Sequence, residues 1–370
     1  MQRRFEALDG FRGMCAVFVM VFHMHIIESI TELSFFRHSY IFVDFFFALS
    51  GFVLTHSYLK KDNLKFKTFF VSRFFRIYPL HAAMLVVMIS FEIVKYFGEI
   101  KFGFSFNSPA FSQPNSIVDI LPNALLLQSW TQFTDELSFN YPSWSISIEF
   151  YTYFIFFATI SIFRKSMVAI WIFLVLMSSI LFFIDVPIIA KAAFKGLSGF
   201  FLGAVSYLIY LKIKNLKLSI VAASLIEVMF ILLSIYVTCN IEWLTNIAAK
   251  ITFSLTIIIF SLELGLFSLI LKTKPLQIIG KLSYSIYMTH AAFLFVLFSV
   301  VILIGYKFGI ETSIMIDGVR NIYVGGYGNA LVATSIVIVI LISFLTYNLI
   351  EIPFQKIGKR INSIVKQKIN

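Results

Sequence analysis

The chain is poor in charged residues and in cysteine. Only 13% of its 370 residues are charged, whereas 59% are hydrophobic and the mean hydropathy is +0.90; a soluble domain has about 25% charged residues. A soluble protein of this composition would be unable to cover its apolar surface, so we expect most of the surrounding solvent to be lipid. The two cysteines, Cys15 and Cys239, argue against a disulfide scaffold or a cysteine-based metal cluster.

Acidic residues are scarce as well. The 19 acids face 30 basic residues, which leaves a net charge of +11. In so apolar a chain this excess indicates membrane topology and an anionic membrane surface. No zinc spacing or aromatic–basic motif for single strands accompanies it, so we expect no nucleic-acid partner.

Long apolar runs dominate the chain and predict transmembrane helices, which need about 20 residues each. The runs are continuous rather than alternating, which excludes barrel strands. The fold class predicted is all-α, as one polytopic membrane domain over residues 1–370, with the first helix retained rather than cleaved as a signal peptide. The ten predicted spans cover residues 13–27, 40–58, 77–97, 144–163, 167–184, 190–211, 218–239, 247–271, 284–305 and 329–350.

The distribution of lysine and arginine predicts the orientation. With the N-terminus in the cytoplasm, 22 of the 30 basic residues fall in cytoplasmic segments, together with only four acids. This bias places both termini in the cytoplasm. The longest outside segment is then 98–141, in which residues 117–130 are a candidate interfacial helix.

Ionisable residues inside spans are costly and usually functional. Arg12 and His23 are 11 residues apart, which places them within about 20° on one helix face and about 16 Å apart along the axis. By depth, Asp44 and Glu149 fall in the same outer half as His23. An imidazole beside carboxylates suits a general base. The alternative is a snorkelling arginine with a structural polar network.

Two further motifs carry polar groups. In RFFRIYP, Arg73 and Arg76 are at i, i+3 and share a face, and guanidinium groups bind phosphate in bidentate fashion; ordinary positive-inside loading is the alternative. In SYSIYMTH, Tyr287 and His290 lie in the inner half of the ninth span. An interfacial aromatic belt explains Tyr287 equally well, whereas His290 lies deeper.

Together these motifs resemble the bacterial acyltransferase-3 family of integral-membrane O-acyltransferases. They follow the family's order over nearly the whole chain, although residues 163–275 match only as hydrophobic spans. The segments that carry the resemblance are LDGFRGMCAVFVMVFH, FVDFFFALSGFVLT, RFFRIYP, PSWSISIEFY, GKLSYSIYMTH and IEIPF.

The resemblance implies transfer of an acyl group, usually acetyl, from cytoplasmic acyl-CoA to a hydroxyl of a surface glycan or its lipid-linked precursor. His23 is then the expected base, and Asp44 or Glu149 orients or charge-balances it. Donor phosphates are expected at Arg73 and Arg76, with Arg12 nearby; Tyr287 and His290 are the other expected substrate-binding residues. We expect no metal and no tightly bound cofactor beside the co-substrate acetyl-CoA, an inner (plasma) membrane location, and no appended soluble domain.

Two alternatives remain open at this point. A transporter or flippase for a glycolipid or small solute would also carry buried acids and histidines, but the inverted repeat or paired broken spans typical of such proteins are missing. Within the acyltransferase reading, the sequence does not decide between direct transfer and a covalent acyl-histidine. Acyl chain, acceptor sugar and oligomeric state are equally open.

Overall fold

A computed structural model describes residues 4–61, 64–103, 106, 108–240, 243–316 and 318–367. The all-α prediction is confirmed in its main part, with one exception: strands β1 (Ser313–Ile316) and β2 (Val319–Ile322) form an antiparallel hairpin. The helices are α1 Glu6–Phe22, α2 Ser34–Arg37, α3 Phe42–Tyr58, α4 Phe66–Phe102, α5 Ile120–Ala124, α6 Ser143–Ser161, α7 Met167–Leu181, α8 Lys191–Ile213, α9 Ile220–Cys239, α10 Trp243–Leu262, α11 Leu266–Leu271, α12 Lys274–Phe308, α13 Gly328–Thr346 and α14 Ile352–Gln367.

Several of these helices are suited to a membrane, and the chain is a multi-pass membrane protein. Within the described ranges, six segments are long and apolar enough to cross a bilayer: Ser39–Tyr58, Phe66–Phe102, Lys191–Ile213, Ile220–Cys239, Lys274–Phe308 and Gly325–Val365. Met167–Leu181 and Ile247–Leu262 are shorter apolar helices. The count of ten spans and the cytoplasmic position of both termini stay predictions.

The chain divides into two compact units, and the first contains Met1–Val53 and Leu202–Leu345. Its central pair is α1 and α12, which run parallel. The two backbones approach closely at Gly13 and Gly280, because a Cβ built on Gly13 would lie 2.5 Å from the nitrogen of Gly280. Small residues allow such an approach between membrane helices, and they bring polar side chains of the two helices together.

Helix α1 ends at Phe22, five residues before the predicted end of the first span. The reason is the backbone that follows: His25 and Glu28 have positive φ values of 31° and 57°, which a helix does not accommodate. Here the chain pairs with β2, because Ile322 donates its N–H to the carbonyl of His25 and accepts one from Ile27. His23 therefore caps α1 rather than lying within it.

The predicted eighth span, 247–271, is two helices rather than one. Helix α10 ends at Leu262, and Glu263 takes a left-handed conformation with φ 58°. The buried Glu227 of α9 then accepts hydrogen bonds from the backbone N–H groups of Gly265 and Ser268. This carboxylate satisfies orphan donors at the start of α11, so the break is specified by side chains.

The second unit contains Leu54–Phe201 and Thr346–Asn370. Its long axis is α4, whose 37 residues span about 55 Å; the predicted span 77–97 was too short. Helix α6 runs antiparallel to it, as ring contacts of Phe66 with Phe157 and of Phe70 with Phe150 show. The predicted interfacial helix 117–130 is reduced to a 3₁₀ turn, Ile117–Asp119, and the five residues of α5.

The last predicted span, 329–350, also needs correction at its end. The prediction ends this helix at residue 350. Instead, a π-helical turn at Tyr347–Glu351 follows α13 and leads directly into α14, with Glu351 buried in it. Pro is tolerated in the first turn of a helix, which explains why Pro353 does not end the chain's helical course.

Candidate active site

Arg12 and His23 contact the same neighbouring helix, which confirms that they share a face of α1. Arg12 donates from Nε to Ser283 Oγ at 2.9 Å and from Nη2 to the carbonyl of Gly280 at 3.0 Å. Its Nη2 also lies 3.2 Å from Asp9 Oδ1. Ten residues beyond Gly280, the ring of His290 meets that of His23. One face of α1 thus runs from a fixed cation to a histidine pair.

The ring of His23 is held in one tautomer. Its Nδ1 lies 2.9 Å from the carbonyl oxygen of Val19, one turn earlier. A carbonyl oxygen only accepts, so in the neutral ring Nδ1 carries the proton. Nε2 then carries the lone pair that a general base needs to accept a proton.

His290 is held in the same way and is completely buried. Its Nδ1 lies 3.2 Å from the carbonyl of Ile286, again one turn earlier. The centroids of the His23 and His290 rings are 5.1 Å apart at an interplanar angle of 34°. Tyr287 packs its ring edge against His290 at 6.0 Å and against Phe46 at 5.8 Å.

Asp44 is fully buried in the first turn of α3. Its neighbours locate it: the Phe45 ring stacks on Phe11, and Phe42 contacts Phe18 of α1. Asp44 therefore belongs to the layer that covers α1 between Arg12 and His23. The partner that sequence reasoning did not assign to His23 is His290. The pairing follows from the helix contact: α1 and α12 are parallel and meet at Gly13 and Gly280, and each carries a histidine ten residues further on.

In the second unit, Arg73 is sandwiched between two tyrosines. Its guanidinium carbon lies 5.8 Å from the ring centroids of both Tyr58 and Tyr153, within the range of cation–π attraction. The hydroxyl of Tyr153 donates to Glu149 Oε1 at 2.5 Å. Glu149 is thus linked through Tyr153 to Arg73 of α4; its predicted depth in the outer half of the membrane stays a prediction.

Arg76 has a different environment from Arg73. It is exposed, while Arg73 is half-buried and its Nε has no hydrogen-bond partner among the described residues. Both lie on one face of α4, as their spacing predicts. The pair therefore presents one guanidinium held between two rings and one exposed to solvent, and two neighbouring guanidinium groups can bind an anion with several phosphate groups.

A metal site finds no support in the part of the chain that the structure describes. No group of three or more His, Cys, Asp or Glu side chains is arranged there to hold an ion. The chemistry available is that of an oriented imidazole, buried carboxylates and guanidinium groups.

Comparison with known proteins gives a consistent match. The sequence profile of the acyltransferase domain family, Acyl_transf_3, matches residues 5–349. Protein 2 in the picA locus of Rhizobium radiobacter is 42% identical over 25% of this chain and 48% of its own length. Acyltransferase MdmB of Streptomyces mycarofaciens is 38% identical over 31% of this chain and 26% of its own. Peptidoglycan O-acetyltransferase OatA of Listeria monocytogenes is 30% identical over 24% of this chain and 14% of its own.

The matched segments span less than half the length of each of these relatives. No solved structure matches the chain.

Proposed function

The chain belongs to the acyltransferase-3 family, and from this premise we propose that it is a membrane O-acyltransferase. It transfers an acyl group, in the simplest case acetyl, from cytoplasmic acyl-CoA to a hydroxyl of a cell-surface glycan or lipid-linked precursor. The printed name of one relative, a peptidoglycan O-acetyltransferase, supports a glycan acceptor. The proposed location is the inner (plasma) membrane.

His23 is the proposed general base. Its Nε2 lone pair removes the proton of the acceptor hydroxyl while that oxygen bonds to the thioester carbonyl carbon. The carbon–sulfur bond then breaks, and the CoA sulfur leaves with the proton that the imidazolium returns. General base catalysis of this kind contributes about 10²–10⁴ to a rate.

The neighbouring groups have proposed roles in the same step. Asp44, buried in the layer that covers α1, balances the charge of the imidazolium. His290, with Tyr287 beside it, fixes the place of the His23 ring and contacts the substrate. Arg12 holds α1 on α12 through Gly280 and Ser283, and so sets the donor end of this face.

The phosphates of the donor are assigned to Arg73 and Arg76. Glu149 supports this site, because its bond to the Tyr153 hydroxyl fixes a ring that holds Arg73. Arginine in such a stacked position is pre-organised for phosphate. No tightly bound cofactor is proposed beside the co-substrate.

The observation that carries the proposal is the fixed Nδ1 of His23, which presents Nε2 as a base. The test uses purified protein in nanodiscs with radiolabelled acetyl-CoA and follows release of free CoA. We expect slow turnover by the wild type and its loss in His23→Ala. The matched control is His38→Ala, since His38 also contacts a carbonyl four residues earlier but lies outside the α1–α12 pair. No binding or turnover of the donor by well-folded wild type would favour the transporter reading.

Direct transfer and a covalent acyl-histidine predict different products with the donor alone. A covalent route transfers acetyl to His23 Nε2 and releases one CoA per enzyme before any acceptor is added. Rapid quenching and mass spectrometry would detect this adduct in the wild type and its absence in His23→Ala. Unlabelled wild type would indicate direct transfer.

A further inference from the structure

Among the buried polar side chains of the second unit that leave an atom unsatisfied, three lie close together. His81 of α4, Asp119 and Asn123 are each at most 1% exposed. His81 Nδ1, Asp119 Oδ2 and Asn123 Oδ1 have no hydrogen-bond partner among the described residues. Buried polar atoms in native proteins are nearly always hydrogen-bonded, so such a group requires an explanation.

The three residues form one connected cluster. His81 Nε2 lies 2.8 Å from the carbonyl oxygen of Asn123. Asn123 Nδ2 donates to the carbonyl of Asp119 at 2.9 Å and to Ser138 Oγ at 2.7 Å. The donors of the cluster are therefore used internally.

The atoms that remain are all acceptors. Because the Asn123 carbonyl only accepts, His81 carries its proton on Nε2, and Nδ1 is a lone pair. The Asn123 amide oxygen and the Asp119 carboxylate oxygen accept as well. What the cluster lacks is a partner with several hydrogen-bond donors.

The position of this cluster follows from the path of the preceding chain. Residues 110–124, which follow α4 in the chain, run back along the same helix. As their residue number rises, they contact residues of α4 that lie progressively nearer its N-terminus. The contacts are Ala110 with Glu99, Phe111 with Glu92, Asn123 with His81, and Ala124 with Tyr78.

This return is as long as a membrane is thick. From Glu99 to Tyr78, α4 rises about 32 Å, close to the hydrocarbon thickness of about 30 Å. Helix α6 begins only at Ser143. The irregular segment before it therefore packs along the part of α4 between Tyr78 and Glu99. Non-helical backbone at membrane depth is tolerated where it is buried in protein or lines an aqueous cavity.

We propose that His81, Asp119 and Asn123 bind the hydroxyl groups of the acceptor sugar at the end of this re-entrant segment; this rests on the proposed function. A sugar ring carries several hydroxyl groups, and these can donate hydrogen bonds to the imidazole nitrogen, the amide oxygen and the carboxyl oxygen at the same time. An anionic ligand such as the phosphates of the donor is disfavoured, because the carboxyl groups of Asp119 and the nearby Asp135 both lie on this side of the cluster. The Tyr78 ring, 6.2 Å from that of His81, offers an apolar face to the sugar ring.

The test measures transfer of radiolabelled acetyl from acetyl-CoA to muramidase-solubilised peptidoglycan fragments. Asp119→Asn can replace the unsatisfied acceptor Oδ2 by an N–H donor with little change of shape. We expect the KM for the fragments to rise about tenfold, with the KM for acetyl-CoA unchanged. His81→Gln is the second variant: its amide can still donate to the Asn123 carbonyl, while the lone pair at Nδ1 is lost, and the same rise in KM is expected.

The control is Asp135→Asn, which removes the neighbouring charge but leaves the acceptor array intact; it should keep the wild-type KM for the fragments. An unchanged KM in both Asp119→Asn and His81→Gln would overturn the acceptor assignment. So would wild type that releases CoA from the donor but is not stimulated by the fragments. Wild type without any donor turnover would instead contradict the proposed function itself.

Discussion

His23 and His290 face each other across the α1–α12 pair with ring centroids 5.1 Å apart. Each ring contacts, through Nδ1, a backbone carbonyl one turn earlier on its own helix. The two imidazoles therefore have restricted orientations, and each directs its Nε2 away from its own backbone. A base that is oriented before substrate arrives needs no reorganisation during the reaction.

Replacement of His290 should slow acyl transfer, because His290 packs against the ring of His23. In His290→Ala we expect kcat for acetyl transfer to fall at least tenfold, while the KM for acetyl-CoA changes little, because the ring that packs on His23 is lost. The His23→Ala/His290→Ala double variant should be hardly slower than His23→Ala alone, since coupled residues are not additive. Additive losses in this cycle would show that the two rings act independently.

Arg73 should resist replacement by lysine. Arg73→Lys keeps the charge but loses the planar group that stacks between Tyr58 and Tyr153. We expect the KM for acetyl-CoA to rise about tenfold, measured as CoA release. The matched control is Arg37→Lys, at an exposed arginine paired with Glu32. Equal, small effects of the two variants would count against Arg73 as a donor-binding residue.

The close approach of α1 and α12 should depend on its glycines. Gly13→Ala places a Cβ 2.5 Å from the backbone nitrogen of Gly280, and overpacking costs about 1–3 kcal/mol. The thermal unfolding midpoint in detergent should drop, together with activity. Gly326→Ala is the control, because a Cβ there meets no atom within 4 Å. A Gly13→Ala protein as stable as Gly326→Ala would mean that the two helices separate easily.

Glu136 should make stability depend on pH. Burial and the nearby Asp135 raise the pKa of its carboxyl above the ordinary value of 4.5, and Lys195 only partly opposes this. Below pH 4.5 the group is protonated in both states, so it has no effect; as pH rises toward the raised folded pKa, the folded state alone resists ionisation and loses stability. Glu136→Gln should match wild type at pH 4 and unfold at a higher temperature than wild type at pH 7. The exposed Glu28 provides the control Glu28→Gln, and a constant difference across pH would refute the linkage.

The helices of this fold follow from sequence wherever a single apolar run carries them. Residues 144–163 and 167–184 are predicted within a few residues of α6 and α7, because a continuous apolar run is enough to predict a membrane helix. The predicted ends failed where distant groups decide: pairing of Ile27 with Ile322 ends α1, and Glu227 starts α11. Such contacts join residues far apart in the chain, so the composition of a local segment does not predict them.

The candidate site was predictable in part for the same reason. Arg12 and His23 were placed on one face by helical periodicity alone. Their pairing with His290 and Ser283 depends on which helix packs against α1, and Gly13 and Gly280 decide that by allowing close approach. The contact of Glu149 with Tyr153, and of Tyr153 with Arg73, likewise depends on the antiparallel packing of α6 on α4, which the apolar runs do not reveal.

The central claim is that His23 Nε2 is the base for acyl transfer, and chemical rescue tests it most directly. His23→Gly would be assayed for transfer of radiolabelled acetyl from acetyl-CoA to solubilised peptidoglycan fragments, with increasing imidazole at pH 7.5. The proposed mechanism predicts loss of about 10²–10⁴ in rate and partial recovery in proportion to neutral imidazole, with no imidazole effect on wild type. Transfer by His23→Gly at the wild-type rate without imidazole would contradict the assignment.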